Sequence, residues 1–275
     1  MTLTPTITST TMDSRWNYIR REWEYWARQY RRRWRGTVVV SIANPVLFLV
    51  AIGAGLGRLV TPAEGSVAAH ALGGVSYLAF FAPGMLAAAS MQNGIIESAF
   101  PVARGRMRDG PYQPAVSSPL EPTDILLGHV LFMAMRIAMS AAAFIVVMVA
   151  LGAARSWLVL LTLPAATLTG LAFATPVAAW AMTQETPARI GALFKWVVMP
   201  MYLFSGTFFA VEQLPGWLQA VVKVTPLWHG VDLCRMLSLG TATWGGSAVH
   251  IGYLVGLTAL GLVVAGRTFP KHLHA

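Results

Sequence analysis

Cysteine, charge and catalytic spacings are all scarce in this chain. A single cysteine, Cys234, in 275 residues excludes an intrachain disulfide and any cysteine-based metal cluster, and its simplest role is that of a small buried apolar side chain. Charged residues make up only 11% of the sequence and hydrophobic ones 56%, whereas soluble domains carry roughly 25% and 45–50%. That balance is read as an integral membrane protein. Lys195, Lys223 and Lys271 are followed by Trp, Val and His, so the Lys-Ser or Lys-Thr pair of a P-loop is missing. None of the 6 histidines precedes a Glu, which excludes an H-E-x-x-H zinc protease. Ser205 has Leu203 where the G-x-S-G of a rhomboid-like protease places glycine. His272 and His274 form only a weak terminal metal pattern. Proton relays need several buried acids, and the apolar runs hold only the peripheral Glu97. No internal repeat marks an inverted-repeat carrier. Residues 1–13 are polar, without the basic region of a secretory signal, and are expected to be a disordered cytoplasmic tail.

What is present begins with a basic aromatic stretch, Ser14 to Arg35, that runs directly into an apolar segment of bilayer length. Trp16, Ile19, Trp23, Trp26, Tyr30 and Trp34 recur at steps of three and four, while Arg20, Arg21, Arg28, Arg31, Arg32 and Arg35 surround them. The pattern predicts an amphipathic interfacial helix over residues 14–36, lying in the headgroup plane, each basic residue contributing about 1 kcal/mol near anionic lipid. A nucleic-acid-binding arm is disfavoured by the apolar run that follows.

Apolar runs of about 20 residues predict an all-α membrane protein with six spans, near 37–59, 75–100, 125–151, 157–182, 191–211 and 246–265. Between the last two, residues 212–243 are broken by Pro215, Pro226, Gly230 and Gly240, which predicts a re-entrant helical hairpin dipping in from one side. With the N-terminus in the cytoplasm, fifteen basic residues fall inside and only Arg58, Arg155, Lys223 and Arg235 outside, so both termini, including the 269–275 tail, are expected to be cytoplasmic. Pro45, Pro83, Pro164, Pro176 and Pro200 fit either static packing or a moving bundle. Gly53, Gly55 and Gly57 permit close helix approach.

The loop from Phe100 to Gly128 reads FPVARGRMRDGPYQPAVSSPLEPTDILLG, and Tyr202 to Arg235 reads YLFSGTFFAVEQLPGWLQAVVKVTPLWHGVDLCR. With VSYLAFFAPGML from Val75 to Leu86 and the Ser205-Gly206, Gln213-Leu214-Pro215 and Pro226-Leu227 landmarks, these resemble the permease subunits of ABC-2 type exporters, in the branch of nodulation-factor (lipo-oligosaccharide) and daunorubicin-type drug exporters. The resemblance implies six spans over residues 37–268, a connecting helix, a coupling helix within residues 100–123, and a dimer of permeases bound to two ATP-binding subunits. No cofactor is then expected on this chain, with ATP and Mg²⁺ held by the partner ATPase. Pro111 and Pro114 stand where relatives have an uninterrupted helix-forming stretch.

On this resemblance, Arg28, Arg31, Arg32, Arg104, Arg106, Arg108, Tyr112 and Ser117 are the candidate ATPase-coupling residues; a merely solvated basic face is the plain alternative. Tyr77, Phe80, Phe81 and Met85, with Met201, Tyr202, Phe204, Phe208 and Phe209, are candidates for a greasy cargo pathway, against ordinary packing or lipid contact. Glu212, Trp217, His229 and Asp232 are candidates for an outer gate, or for hydrogen-bonded structure. Arg136, mid-span, calls for a partner, and Glu97 is the candidate for a structural ion pair, with a substrate contact as the alternative. The function expected is ATP-driven export of an amphipathic drug, glycolipid or lipo-oligosaccharide across the bacterial cytoplasmic membrane. The alternative is a self-sufficient ion- or proton-coupled carrier or channel, which would not depend on a companion ATPase.

Overall fold

The computed structural model describes residues 12–51, 75–105, 107, 110–184 and 186–273. All its regular elements are helical. Helix α1 (Met12–Val50) is followed by α2 (Tyr77–Gly105), the single turn α3 (Gln113–Val116), α4 (Pro122–Ala150), and α5 (Thr162–Ala181), which a 3₁₀ turn at Trp157–Leu161 leads into. Then come α6 (Pro187–Leu193), a π-helical turn at Phe194–Val198, α7 (Met199–Phe204), a 3₁₀ turn at Val211–Gln213, α8 (Gly216–Val224), α9 (Pro226–Leu239) and α10 (Trp244–Leu273). Among the described residues, three stretches are long and apolar enough to cross a membrane: Pro122–Ala150, Trp157–Ala181 and Trp244–Leu273.

Local chemistry sets several boundaries. Glu121 and Asp124 form a reciprocal capping box at the start of α4, with Pro122 at its first position. Thr225 Oγ1 accepts from Trp228 N to cap α9, and Pro226 follows it. Pro200 brings no N–H to the helix, and the segment expected as the fifth span accordingly runs as α6, a π turn and α7 instead of one regular helix.

Pairs of contacts give the directions. Asn93 Nδ2 donates to Ser140 Oγ at 2.9 Å and Arg136 Nε to Glu97 Oε1 at 3.1 Å, so α2 and α4 are antiparallel. At Gly94 an added Cβ would stand 2.2 Å from the Gly170 carbonyl oxygen, so glycine lets α2 and α5 touch through their backbones. Thr175 Oγ1 donates to the Thr258 carbonyl at 3.1 Å, joining α5 to α10. One buried core, with Phe81, Leu86, Met91, Phe144, Met148 and Cys234, fills the middle and the end where α2 begins. A second, around Trp26, Tyr112, Phe132 and Phe269, fills the other end.

Two findings differ from the sequence reading. The helix that starts at Met12 continues through Arg35 and Gly36 to Val50 as one element, across the 36/37 boundary expected between an interfacial helix and a first span. The polar tail therefore gives way to helix at Met12; residues 1–11, the end of the first predicted span with Gly53, Gly55, Gly57 and Arg58, and residues 274–275 lie outside the described residues.

Candidate functional site

The loop between α2 and α4 is built around one buried aromatic ring. Tyr112 is fully buried, and its ring lies where a Cβ on Gly105 would stand 2.0 Å from it, so only glycine fits there. Its hydroxyl is hydrogen-bonded to His129 Nδ1. Burial, and then the nearby Glu22 carboxyl, hold the Tyr112 phenol well above its ordinary pKa, so it stays protonated and donates. That places the imidazole proton on Nε2, which has no hydrogen-bond partner among the described residues. The Trp26 indole stacks flat on His129 at 4.1 Å and donates through Nε1 to Glu22 Oε1 at 2.8 Å. Glu22 is 3% exposed, and desolvation raises its pKa to about 7, a shift the Trp26 hydrogen bond only partly offsets.

These contacts also orient α1. Arg15 Nη2 reaches Glu121, Thr123 and Asp124 at 3.3, 3.1 and 3.4 Å. Glu22 packs on Gly128, Trp26 on His129 and Phe132, and Tyr30 on Phe132 and Arg136. Both chains advance together, so α1 stands parallel to the first half of α4 and its aromatic stripe is spent largely on protein. The expectation of a helix resting flat in the headgroup plane does not describe this packing. Close approach at Gly128 is the physical reason, since a Cβ there would lie 2.5 Å from Glu22 Cβ. The stripe is also shifted: Trp26 is buried and Trp16 is 59% exposed.

Of the expected coupling residues, Arg28, Arg31, Arg32, Arg104 and Ser117 are exposed, and Arg106 and Arg108 lie outside the described residues. The two prolines leave only the turn α3, with Pro114 in its first turn. A cavity of about 140 Å³ opens beside it, between Arg21, Glu22 and Tyr25 on α1 and Pro114, Ala115 and Ser118.

In the middle, Arg136 meets Glu97 and lies over the Tyr30 ring at 4.2 Å, so the partner expected from sequence is the one observed. Toward the other end, Tyr77, Phe81, Met85, Tyr202 and Phe208 form one cluster. Tyr77 stacks on Phe81 at 5.8 Å, Phe208 lies 5.6 Å from Phe81 and 5.3 Å from Tyr202, and the Tyr202 hydroxyl points to Met85 Sδ at 3.2 Å. Phe80 stands apart beneath Arg235, and Phe204 is 43% exposed. Met201 and Phe209 are partly buried.

Helices α8 and α9, at that same end, join in a turn at Thr225. Its tip reaches Tyr253, whose hydroxyl donates to the Val224 carbonyl at 2.6 Å, nine residues into α10. Of the expected gate residues, Glu212 and Trp217 are exposed, whereas His229 is buried and Asp232 is partly buried. Sequence reasoning missed Arg235, counted only as an outer loop charge. Its Nη2 donates to the Gly206 carbonyl at 2.7 Å and its guanidinium covers the Phe80 ring at 3.8 Å, tying α9 to α2 and to the turn after α7. His250, Glu22 and His129 were missed too, and each had one signal: an isolated polar residue on an apolar helix face.

A family model described as ABC-2 type transporter matches residues 19–239. Nodulation protein J of Rhizobium meliloti (strain 1021) is 31% identical over 247 residues, covering 88% of this chain and 86% of the relative. Nodulation protein J of Rhizobium leguminosarum bv. trifolii is 36% identical over 222 residues, covering 78% and 80%. A daunorubicin resistance ABC transporter permease protein of Streptomyces coeruleorubidus is 30% identical over 83 residues, 30% of this chain and 29% of the relative.

Proposed function

The chain belongs to the ABC-2 type transporter family, and from that premise we propose that two copies of it, with two ATP-binding subunits, move an amphipathic molecule outward across a bacterial cytoplasmic membrane. The chain itself is a multi-pass permease component of an ABC exporter and not an enzyme; ATP is hydrolysed in a separate subunit. ATP and Mg²⁺ belong to that subunit. The observation that carries the reading is a family match running from Ile19, within the α1 stripe, to the last residue of α9, so that it takes in both the Tyr112 loop and the α8–α9 segment.

In this reading six spans cross the bilayer, with α8 and α9 dipping in from outside and both termini inside. The end holding α3 faces the cytoplasm, where Arg104 and Ser117 offer the docking surface, with Arg28, Arg31 and Arg32 exposed farther along α1. Closure of the ATP-binding subunits pushes on α3 and α1. Tyr112, His129 and Trp26 carry the push into α4, because they are interlocked rings without room to slide. The run α6–α7 leaves Trp196, Met199, Leu203 and Phe204 exposed at 72%, 59%, 49% and 43%, which suits a seam against a second copy. The Tyr77, Phe81, Met85, Tyr202, Phe208 cluster supplies an adaptable apolar wall for a drug, glycolipid or lipo-oligosaccharide.

The test is mass spectrometry of the tagged chain purified from its native membrane in mild detergent. A stoichiometric P-loop ATPase is the expected companion. A solitary chain whose transport survives deletion of every candidate ATPase would overturn the reading in favour of a self-sufficient carrier.

A further inference from the structure

Lys223 stands two residues before Thr225, where α8 turns into α9, and contacts on two other helices fix the depth of that turn. Gly230 of α9 packs on α5, where an added Cβ would stand 2.4 Å from Thr169 Cγ2. Thr169 is the central residue of the apolar stretch Trp157–Ala181, twelve residues from either end. The other end of α9 lies by the start of that stretch, since a Cβ on Gly240 would stand 3.1 Å from Ser156. The chain of α9 therefore runs against that of α5, and Thr225, five residues before Gly230, lies beyond the midpoint. The second contact agrees. Thr258 is level with Thr175 through their hydrogen bond, and a Cβ on Gly261 would meet Pro176, so α10 runs parallel to α5 and Tyr253 is level with Gly170. The Tyr253 hydroxyl donates to the Val224 carbonyl at 2.6 Å.

At this depth Lys223 is exposed, as are Trp217, Ala220, Val221 and Val224, and Val222 is the buried residue of α8. Among the described residues no ion pair includes Lys223. Asp232 meets His250 Nε2 at 3.2 Å, and Glu212 stands before the opposite end of α8. Such an ammonium does not belong in hydrocarbon. The last carbonyls of α8 offset only a fraction of what a charge costs at mid-bilayer. Its four-carbon stem is also too short to reach the level of Trp244, about 14 Å along α10 from Tyr253 at 1.5 Å per residue. In the six-span exporter reading, on which this inference rests, the Lys223 side of α8 therefore faces the water-filled route and not lipid.

We propose that Lys223 binds an anionic headgroup of the transported amphiphile at mid-depth. A lysine ammonium brings a positive charge and three donors and no acceptor, so it recognises the oxygens of a phosphate, sulfate or carboxylate and repels a cation. Val221 and Val224 beside it give the apolar part of the same molecule a surface to lie on. Two other basic groups of the bundle are already committed, Arg136 to Glu97 and Arg235 to the Gly206 and Phe80 carbonyls. The aromatic cluster of Tyr77, Phe81, Tyr202 and Phe208 carries no charge with which to sort cargo. Selection by charge falls to Lys223.

The complex of the full chain with its ATP-binding subunits, held in phosphatidylcholine nanodiscs, tests the site with two probes of one chain length, dodecyl phosphate and dodecyltrimethylammonium. Each is corrected for uptake by protein-free discs. Wild type is expected to bind dodecyl phosphate at least about tenfold more tightly than the cation. Lys223→Arg should keep that preference and Lys223→Gln should abolish it; the side chain is exposed, so both variants keep the fold. Equal binding of the two probes by wild type, or a preference that survives in Lys223→Gln, would overturn the proposal. Trapping with ATP and vanadate separates cargo from a bilayer lipid. The affinity for dodecyl phosphate should then fall at least about tenfold, and an unchanged affinity would mark a resident lipid and overturn the assignment to cargo.

Access to water gives an independent readout. In a Cys234→Ala background, which removes the one native thiol, Lys223→Cys should react with an anionic, water-soluble thiosulfonate at least about tenfold faster than Val255→Cys, whose side chain is exposed on α10 two residues past Tyr253. Equal rates would place Lys223 against lipid and overturn the proposal. Co-purification of the ATP-binding subunit depends on none of these results, so failure of this site and failure of the exporter reading are told apart.

Discussion

Glu22 is an acid set in a basic stretch, and its burial against Gly128 and Trp26 makes it costly when ionised. Its folded pKa, about 7, lies above the ordinary 4.5. Below pH 4.5 the carboxyl is neutral folded or unfolded and costs nothing; as pH rises from 4.5 to 7 the unfolded chain ionises it while the folded state holds it neutral, and stability falls by an amount on the order of 3 kcal/mol. Glu22→Gln keeps the acceptor for the Trp26 N–H. Its melting temperature should match wild type at pH 4 and exceed it by several degrees at pH 8, and equal values at pH 8 would refute the burial argument. Arg136 and Glu97 make a pair of the opposite kind. Their side chains are only 8% and 20% exposed, so removing one partner leaves a buried charge. Glu97→Gln should destabilise by about 3–5 kcal/mol, and adding Arg136→Met should recover most of that. A thermal double-mutant cycle with additive effects would show that the two do not act as a pair.

At the scale of elements, α1 docks on α4 because glycine at position 128 lets the two backbones approach. Gly128→Leu should part them, and proteolysis within residues 15–32 should accelerate at least about tenfold while cleavage elsewhere is unchanged. Helix α9 depends on its cap in a simpler way. Thr225→Ala removes the hydroxyl that accepts from Trp228 N and should cost about 1 kcal/mol in unfolding measurements, with Thr225→Ser nearly neutral. The recurrence of Trp23, Trp26 and Tyr30 made the helix legible, but not its docking partner. Periodicity reports which face is apolar and is silent on whether lipid or protein covers it.

For the whole molecule, the two buried cores mark two working ends joined by α2, α4, α5 and α10. In the exporter reading, Trp26 stands where a push on α1 enters the bundle, stacked on His129 at 4.1 Å. Trp26→Ser should leave ATP hydrolysis by the assembled complex largely intact and lower transport at equal expression by about tenfold or more. Unchanged transport would remove Trp26 from the relay.

Composition alone determined that this is a membrane chain, because 11% charged residues cannot clothe a soluble surface. The quoted motifs pointed to the family, and it is the family match, with which the missing P-loop agrees, that puts ATP hydrolysis in a separate subunit. The expected tie of Arg136 to Glu97 was also legible, since a lone charge in an apolar run demands a counter-charge, and few are available. Only the tertiary structure decided that Tyr112 faces inward under its loop, that α1 stands against α4, that Arg235 clamps α9 to α2, and that His229 meets His250 across 21 positions of sequence. Those contacts join residues distant along the chain, and pattern along one chain carries no information on which apolar faces meet until the helices pack.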